Sequence, residues 1–331
     1  RATFGKNAEE RIFQIGKLLT EHDMEKGITL STQSNNPQTL ASVGRKNIKL
    51  EVYRSLQERY SKEGIPTYTE LILGLPNETY ASFLQGMEET LQSGVNQVFV
   101  HICQVYPNTE LADKGYQERF GIRTVRIPLQ ETHASVRAGG VQEYEEIVVG
   151  TGAMPTGAWE SALLVSWIMQ LLHGLRLGGH VLNYLAERHG HESTRFFSYI
   201  RAALFWGRIG ANDVLAREVR EFYKLTDAIL DGQPRGCVVD GFGDIYWAPE
   251  EASFLRICER KEEFYEELYD ICSRYLLICK RQYDDEELRN VIDKQKASVP
   301  DIADYPDRET FAREVVLYGR KSGRRLKETA T

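Results

Sequence analysis

The stretch Glu70-Leu71-Ile72-Leu73-Gly74-Leu75-Pro76-Asn77-Glu78-Thr79 constrains the fold more than any other. Leu71 to Leu73 is an unbroken apolar run, as expected of a parallel strand covered on both faces. Gly74 permits a close backbone approach, and Pro76 forbids further ladder pairing. Asn77-Glu78-Thr79 then opens a helix. In parallel α/β sheets small molecules bind beyond the carboxyl ends of the strands, so residues 70–78 mark the first place to look for one.

The rest of the chain fits around that strand. Residues 7–24 read as an amphipathic helix with Ile12, Ile15 and Leu19 on one stripe, Asn7 as N-cap and Glu10 completing a capping box. A short strand, Ile28 to Gln33, stops before Pro37. A helix over about 47–63 carries Ile48, Val52, Leu56 and Tyr60, and the central strand follows over 66–75. A helix over 80–92 leads to an apolar strand over 97–105, broken at Pro107. Alternating helices and strands predict right-handed βαβ crossovers and at least three parallel strands, too few to close a barrel. Residues 113–157 are rich in glycine and read as covering loops with one strand-like piece at Glu146 to Val149. From Ala158 to Tyr283 the pattern predicts helices over 158–177, 179–188, 193–209, 213–231 and 252–279, interrupted by β-like pieces in Cys237 to Trp247. The fold class expected is therefore α/β: crossover-linked parallel strands over 1–112, covering loops over 113–157, and a mainly helical domain over 158–331.

Bulk properties narrow the function. The net charge is -7 and the pI near 5.7, so nothing calls for nucleic acid. The basic run Arg320 to Lys327 reads as a solvated terminus. Five scattered cysteines suit a reducing cytoplasm and form no C-x-x-C or cluster-binding set, so no metal ligands are assigned. The opening residues do not read as a signal peptide, and the uncharged run Ser161 to Leu175 is too short to span a bilayer; it reads as a buried helix. Ala2-Thr3-Phe4-Gly5 looks like the tail of a strand with no strand before it, which suggests the carboxyl-terminal part of something longer.

The residues that carry chemistry lie at strand ends. If the strands are neighbours, Gln33, Arg45 and Glu70 converge at one end of the sheet. An arginine beside a glutamine and a carboxylate suits a zwitterionic ligand, although an ordinary Arg45–Glu70 ion pair would use the same residues. Glu70 or Glu78 could also serve an unrelated α/β enzyme in acid–base work, but the chain has neither a nucleophile elbow nor a P-loop. His189-Gly190-His191 reads as a solvated turn rather than a metal site, and Val149-Gly150-Thr151-Gly152 as a plain turn before an N-cap at Thr156. Trp159, Trp167, Trp206 and Trp247 read as core.

Three of these motifs in order carry a resemblance. Ser31-Thr32-Gln33-Ser34-Asn35-Asn36, then Gly44-Arg45-Lys46-Asn47, then Glu70 to Thr79 resemble the second half of a radical S-adenosylmethionine (radical SAM) core, and Gln104 to Leu111 resembles its last strand and exit. The subgroup it looks most like places a cobalamin-binding domain before that core. The resemblance covers residues 1–112 and implies the second half of a partial (β/α) barrel. It implies that Gln33 and Arg45 contact the methionine part of SAM and Glu70 its ribose or amino end. Ile72, Gly74, Tyr106 and Pro107 would line the adenine. It further implies a 4Fe-4S cluster, cobalamin in some members, a reductant protein, and a small-molecule, lipid or polysaccharide-precursor substrate acted on by methyl transfer or cyclisation. The three-cysteine cluster loop, the glycine-rich SAM-amine motif and a cobalamin loop are absent from this sequence. The missing amino-terminal half is expected to hold them. A non-catalytic scaffold built on the same half-barrel is the alternative, and no catalytic residue is assigned.

Overall fold

The computed structural model describes residues 9–22, 24, 27–47, 49–136, 140–205 and 213–318. The expected strand tail at residues 2–5, the Asn7 cap, Ile48, Trp206 and the basic run 320–327 lie outside them. The chain divides into two compact units. One holds the described residues up to Ile127 together with Tyr144–Leu163, and the other holds Pro128–Glu143 and most of the chain after Leu164.

The first unit is built on a three-stranded parallel sheet in the order β1 (Ile28–Thr29), β2 (Thr67–Leu73), β3 (Gln97–Ile102). The helices between the strands are α1 (Glu9–Glu21), α2 (Pro37–Ser42), α3 (Leu50–Lys62) and α4 (Tyr80–Gln92). The expected α4 lies where its stripe placed it. Its start is fixed by a capping box in which Thr79 and Ser82 exchange hydrogen bonds with each other's backbone. α1, α3 and β1 share a core of Ile12, Phe13, Ile28, Leu30, Tyr53, Leu56, Tyr60 and Ile65. Of the expected stripes, Ile12, Leu56 and Tyr60 lie in this core; Ile15, Leu19 and Val52 are only half-buried, and Phe13 and Tyr53, one position off the stripes, take the buried places instead.

Three expectations change in this unit. The first strand has a regular ladder only at Ile28–Thr29, but the chain stays beside β2 as far as Gln33, which pairs with Leu71. The stretch after it, read as loop, contains α2. Pro37 supplies the first helical position and the Asn36 side chain accepts from the Gln38 N–H at 2.9 Å, so a proline that ends a strand also begins a helix. The region 113–157 is more ordered than loops: it forms α5 (Lys114–Phe120), β4 (Arg123–Pro128) and β5 (Tyr144–Gly150). Asp113 caps α5 and Gly121 ends it in a left-handed conformation, φ 58°. β5 runs antiparallel to the extension of β3, with the Val148 N–H donating to Cys103 O and the Val105 N–H to Glu146 O, both at 2.8 Å.

The second unit is mainly helical, and the chain enters it within α6 (Thr156–Met169), which widens into a π-helical turn over Gln170–Gly174. Then come α7 (Gly179–His189), α8 (Ser193–Phe205), α9 (Leu215–Leu230), α10 (Pro249–Cys258), α11 (Lys261–Ile278), α12 (Asp285–Ala297) and the short α13 (Arg308–Phe311). The helix expected over 252–279 is two helices. Ile257, Phe264, Leu268, Ile271 and Tyr275 keep one phase across the break, so periodicity alone ran through it. The run Ser161 to Leu175 is mostly buried, as expected. Among the described residues no helix is long and apolar enough to cross a membrane.

Candidate functional site

The strands of the first unit present one face to helices and one to the open. Leu30, Thr69, Leu71, Leu73 and Val98 are buried. Side chains alternate along a strand, so Ser31, Glu70, Ile72, Phe99 and His101 occupy the opposite face, and none of them is buried. The Glu70 and His101 side chains keep 26% and 56% of their exposure. Tyr68 and Gln97 on this same face are buried, so it opens only toward the carboxyl ends of the strands, around Glu70 and His101; a parallel sheet is ordinarily covered on both faces, so that opening marks a place for something else to bind.

Hydrogen bonds fix the middle of this face. The Ser31 hydroxyl donates to Glu70 Oε2 at 2.7 Å, and His101 Nε2 lies 3.8 Å from Glu70 Oε1. Gln33 is clasped to β2 on both sides: its N–H donates to Glu70 O at 2.9 Å, and its carbonyl accepts from the Ile72 N–H at 2.8 Å. It holds a left-handed backbone, φ 64°, and its buried Oε1 has no hydrogen-bond partner. A strained residue with an unmatched buried acceptor is the kind of feature that binding sites retain.

Gln33, Glu70 and Ile72 are therefore brought together. The loop that carries Arg45 is tied next to Gln33 two residues further on, where the Asn47 amide donates to Ser34 O at 2.6 Å. The Arg45 side chain itself is exposed. Gly74 has φ 99°, and a Cβ there would meet Val148 Cγ1 at 3.1 Å; the close approach expected at this glycine is to β5. Tyr106 and Pro107 sit in an exposed turn beyond β3, where the Tyr106 hydroxyl donates to the Gln104 side chain.

Two features were missed in the sequence. His101 was read only as part of an apolar run, although a histidine at an alternate position of Gln97-Val98-Phe99-Val100-His101-Ile102 is the signal that one face is not buried. The second is a brace under the site. Glu78 is 1% exposed and its carboxylate accepts from the Ser34 and Ser82 hydroxyls, joining the loop after β1 to the start of α4. Burial pushes the Glu78 carboxyl above its ordinary value, and the hydroxyl bonds pull against that.

Other candidates resolve into structure. Gly190 ends α7 in a left-handed conformation, but His191 beside it is buried, so this turn is not simply solvated. Among the described residues no group of three or more His, Cys, Asp or Glu side chains could hold a metal ion. The cysteines are unpaired, and burial pushes the Cys103 thiol up to about 12. Val149 and Gly150 end β5, and Thr151 bonds back to Met154 in a tight turn before α6; Thr156 is the first residue of that helix rather than its cap, and its hydroxyl has no partner. Trp159, Trp167 and Trp247 are core residues.

No protein-family model matches the chain. Two curated proteins are similar to it. It is 36% identical over 198 residues to the cobalamin-dependent radical SAM methyltransferase TokK of Streptomyces tokunonensis, covering 60% of this chain and 29% of that protein. It is 34% identical over 204 residues to 2-(S-pantetheinyl)-carbapenam-3-carboxylate methyltransferase of Streptantibioticus cattleyicolor, covering 61% of this chain and 30% of that protein. The chain thus spans less than a third of the length of these relatives. The resemblance to the cobalamin-containing radical SAM subgroup is shown by these matches: the chain is related to cobalamin-dependent radical SAM methyltransferases.

Proposed function

We propose that this chain is the carboxyl-terminal portion of a cobalamin-dependent radical SAM methyltransferase acting on a small molecule. Residues 1–112 form the second half of its partial (β/α) barrel, residues 113–157 cover it, and residues 158–331 form a helical accessory domain that shapes the substrate site. The open face around Glu70 is the observation that supports this reading most, because it leaves a carboxylate and a hydroxyl facing a place where a ligand can sit. Bound in the complete protein, SAM, a 4Fe-4S cluster and cobalamin supply the radical and methyl-transfer chemistry.

This chain's own residues hold and orient. Gln33 and Arg45 bind the methionine part of SAM: the unpartnered Gln33 Oε1 is an acceptor for an ammonium, and the Arg45 guanidinium a partner for a carboxylate. Glu70, steadied by Ser31, accepts from ribose hydroxyls or the amino group. Ile72 supplies apolar surface to the adenine, Gly74 supplies backbone only because Val148 occupies the space beside it, and Tyr106 and Pro107 close the wall. The cluster ligands, the cobalamin domain and the contact with a reductant protein belong to other parts of the complete protein.

The coding DNA ahead of the Arg1 codon tests this assignment. An in-frame C-x-x-x-C-x-x-C preceded by a cobalamin-type domain is the expected result. A complete reading frame without such a cysteine set would exclude the enzyme reading and leave a scaffold.

A further inference from the structure

The loop after β1 closes on one residue. Gln33 sits at the centre of a three-residue turn: the Ser34 N–H donates to Thr32 O at 2.8 Å across it, and its φ is 64°. A tight turn of that hand is rare and strained for a residue with a side chain, so its surroundings must hold it shut. Ser34 is 4% exposed and supplies the hold. Its hydroxyl donates to the Glu78 carboxylate and accepts from the Asn36 N–H at 3.1 Å. Its carbonyl accepts from the Asn47 amide at 2.6 Å.

Each of those bonds leads to a different segment. Glu78 also accepts from the Ser82 hydroxyl, which itself accepts from the Thr79 N–H at 3.0 Å, so the first bond reaches the capping box of α4. Asn36 caps α2, and the Arg45 N–H donates to Leu40 O at 2.8 Å, so the second reaches Arg45 through that helix. Asn47 lies two residues beyond Arg45, so the third reaches it from the other side. Residues 34–47 thus form a loop closed at Ser34, with Gln33 just before the closure and Arg45 inside the loop. Polar groups bonded into one network hold their positions together rather than singly.

We infer, on the function proposed above, that Ser34 is a positioning residue for ligand binding. It sets Gln33 and Arg45 as one unit, so neither grips the methionine part of SAM at full strength without it. Ser34→Ala removes the hydroxyl that ties this unit to α4 and α2. Asn47→Ala releases the Arg45 side alone.

SAM affinity of the complete protein, measured in paired substitutions, tests this. Ser34→Ala by itself should weaken binding about tenfold. In that background Gln33→Ala and Arg45→Ala should each cost about threefold or less, against about tenfold in the unaltered protein, because a residue already loosened has less to lose. In the Asn47→Ala background only the Arg45→Ala effect should shrink. Ser34→Ala binding within about twofold of the unaltered protein would overturn the role, and so would a full effect of either substitution in its background, the result a residue that only stabilises the fold would give. If Ser34→Ala does not fold, the Asn47→Ala comparison decides, and a full Arg45→Ala effect there overturns the role. Absence of SAM binding in the unaltered protein would sink the proposed function instead. Amide exchange needs no ligand and then decides the coupling: Ser34→Ala should speed exchange at both Gln33 and Arg45 about tenfold or more, with Met87 in α4 unchanged, and an unaltered rate at either residue would overturn it.

Discussion

Single residues hold the site, and they do so by opposing burial with hydrogen bonds. Glu78 carries none of the ligand roles proposed above, yet it fixes the loop that bears Gln33. Glu78→Ala strands the Ser34 hydroxyl and opens a cavity, so it should cost about 2–4 kcal/mol in chemical denaturation of the complete protein. An unaltered midpoint would show that the brace is idle. Gly74→Ala forces a side chain into φ 99° against Val148 and should cost about 1–3 kcal/mol by the same measurement. In the second unit, Glu267 is 1% exposed and accepts from the N–H groups of Val214, Leu215 and Ala216. Burial outweighs those bonds and pushes its carboxyl up to about 7. The folded state therefore prefers the protonated form. The stabilisation is full below the ordinary value of 4.5 and is lost as pH rises through 7, a change of up to about 3 kcal/mol. Glu267→Gln should flatten the stability profile over that window; an identical slope in the variant would contradict this.

Whole elements were legible where one period dominates. α4 and β2 follow directly from Phe83, Met87 and Leu91 and from the apolar run Leu71 to Leu73. α2 and α5 were not, because six and seven residues are too few to show a helical stripe, and their local signals are only terminal ones: Asn36 and Pro37 for α2, Asp113 and Gly121 for α5. The break between α10 and α11 left no glycine or proline to read. In the candidate site, Gln33, Arg45 and Glu70 were legible as polar residues at strand ends and loops. The His101 contact was not, because it depends on the register that sets Ile72 opposite His101. His101→Ala removes the neighbour of Glu70 without disturbing the ladder, so SAM affinity should change by less than about tenfold while the fold melts as before. A large loss of stability would show that His101 is structural.

On the scale of the whole molecule, the account rests on one claim: the open face of the three-stranded sheet is where this chain holds SAM. Equilibrium binding of SAM to the complete protein tests it most directly, with Arg45→Ala and Glu70→Gln measured beside the unaltered protein. Each change should weaken binding about tenfold or more, equivalent to at least about 1.4 kcal/mol, with thermal unfolding unchanged. SAM affinity that is the same in all three proteins would contradict the claim and remove the open face from the site.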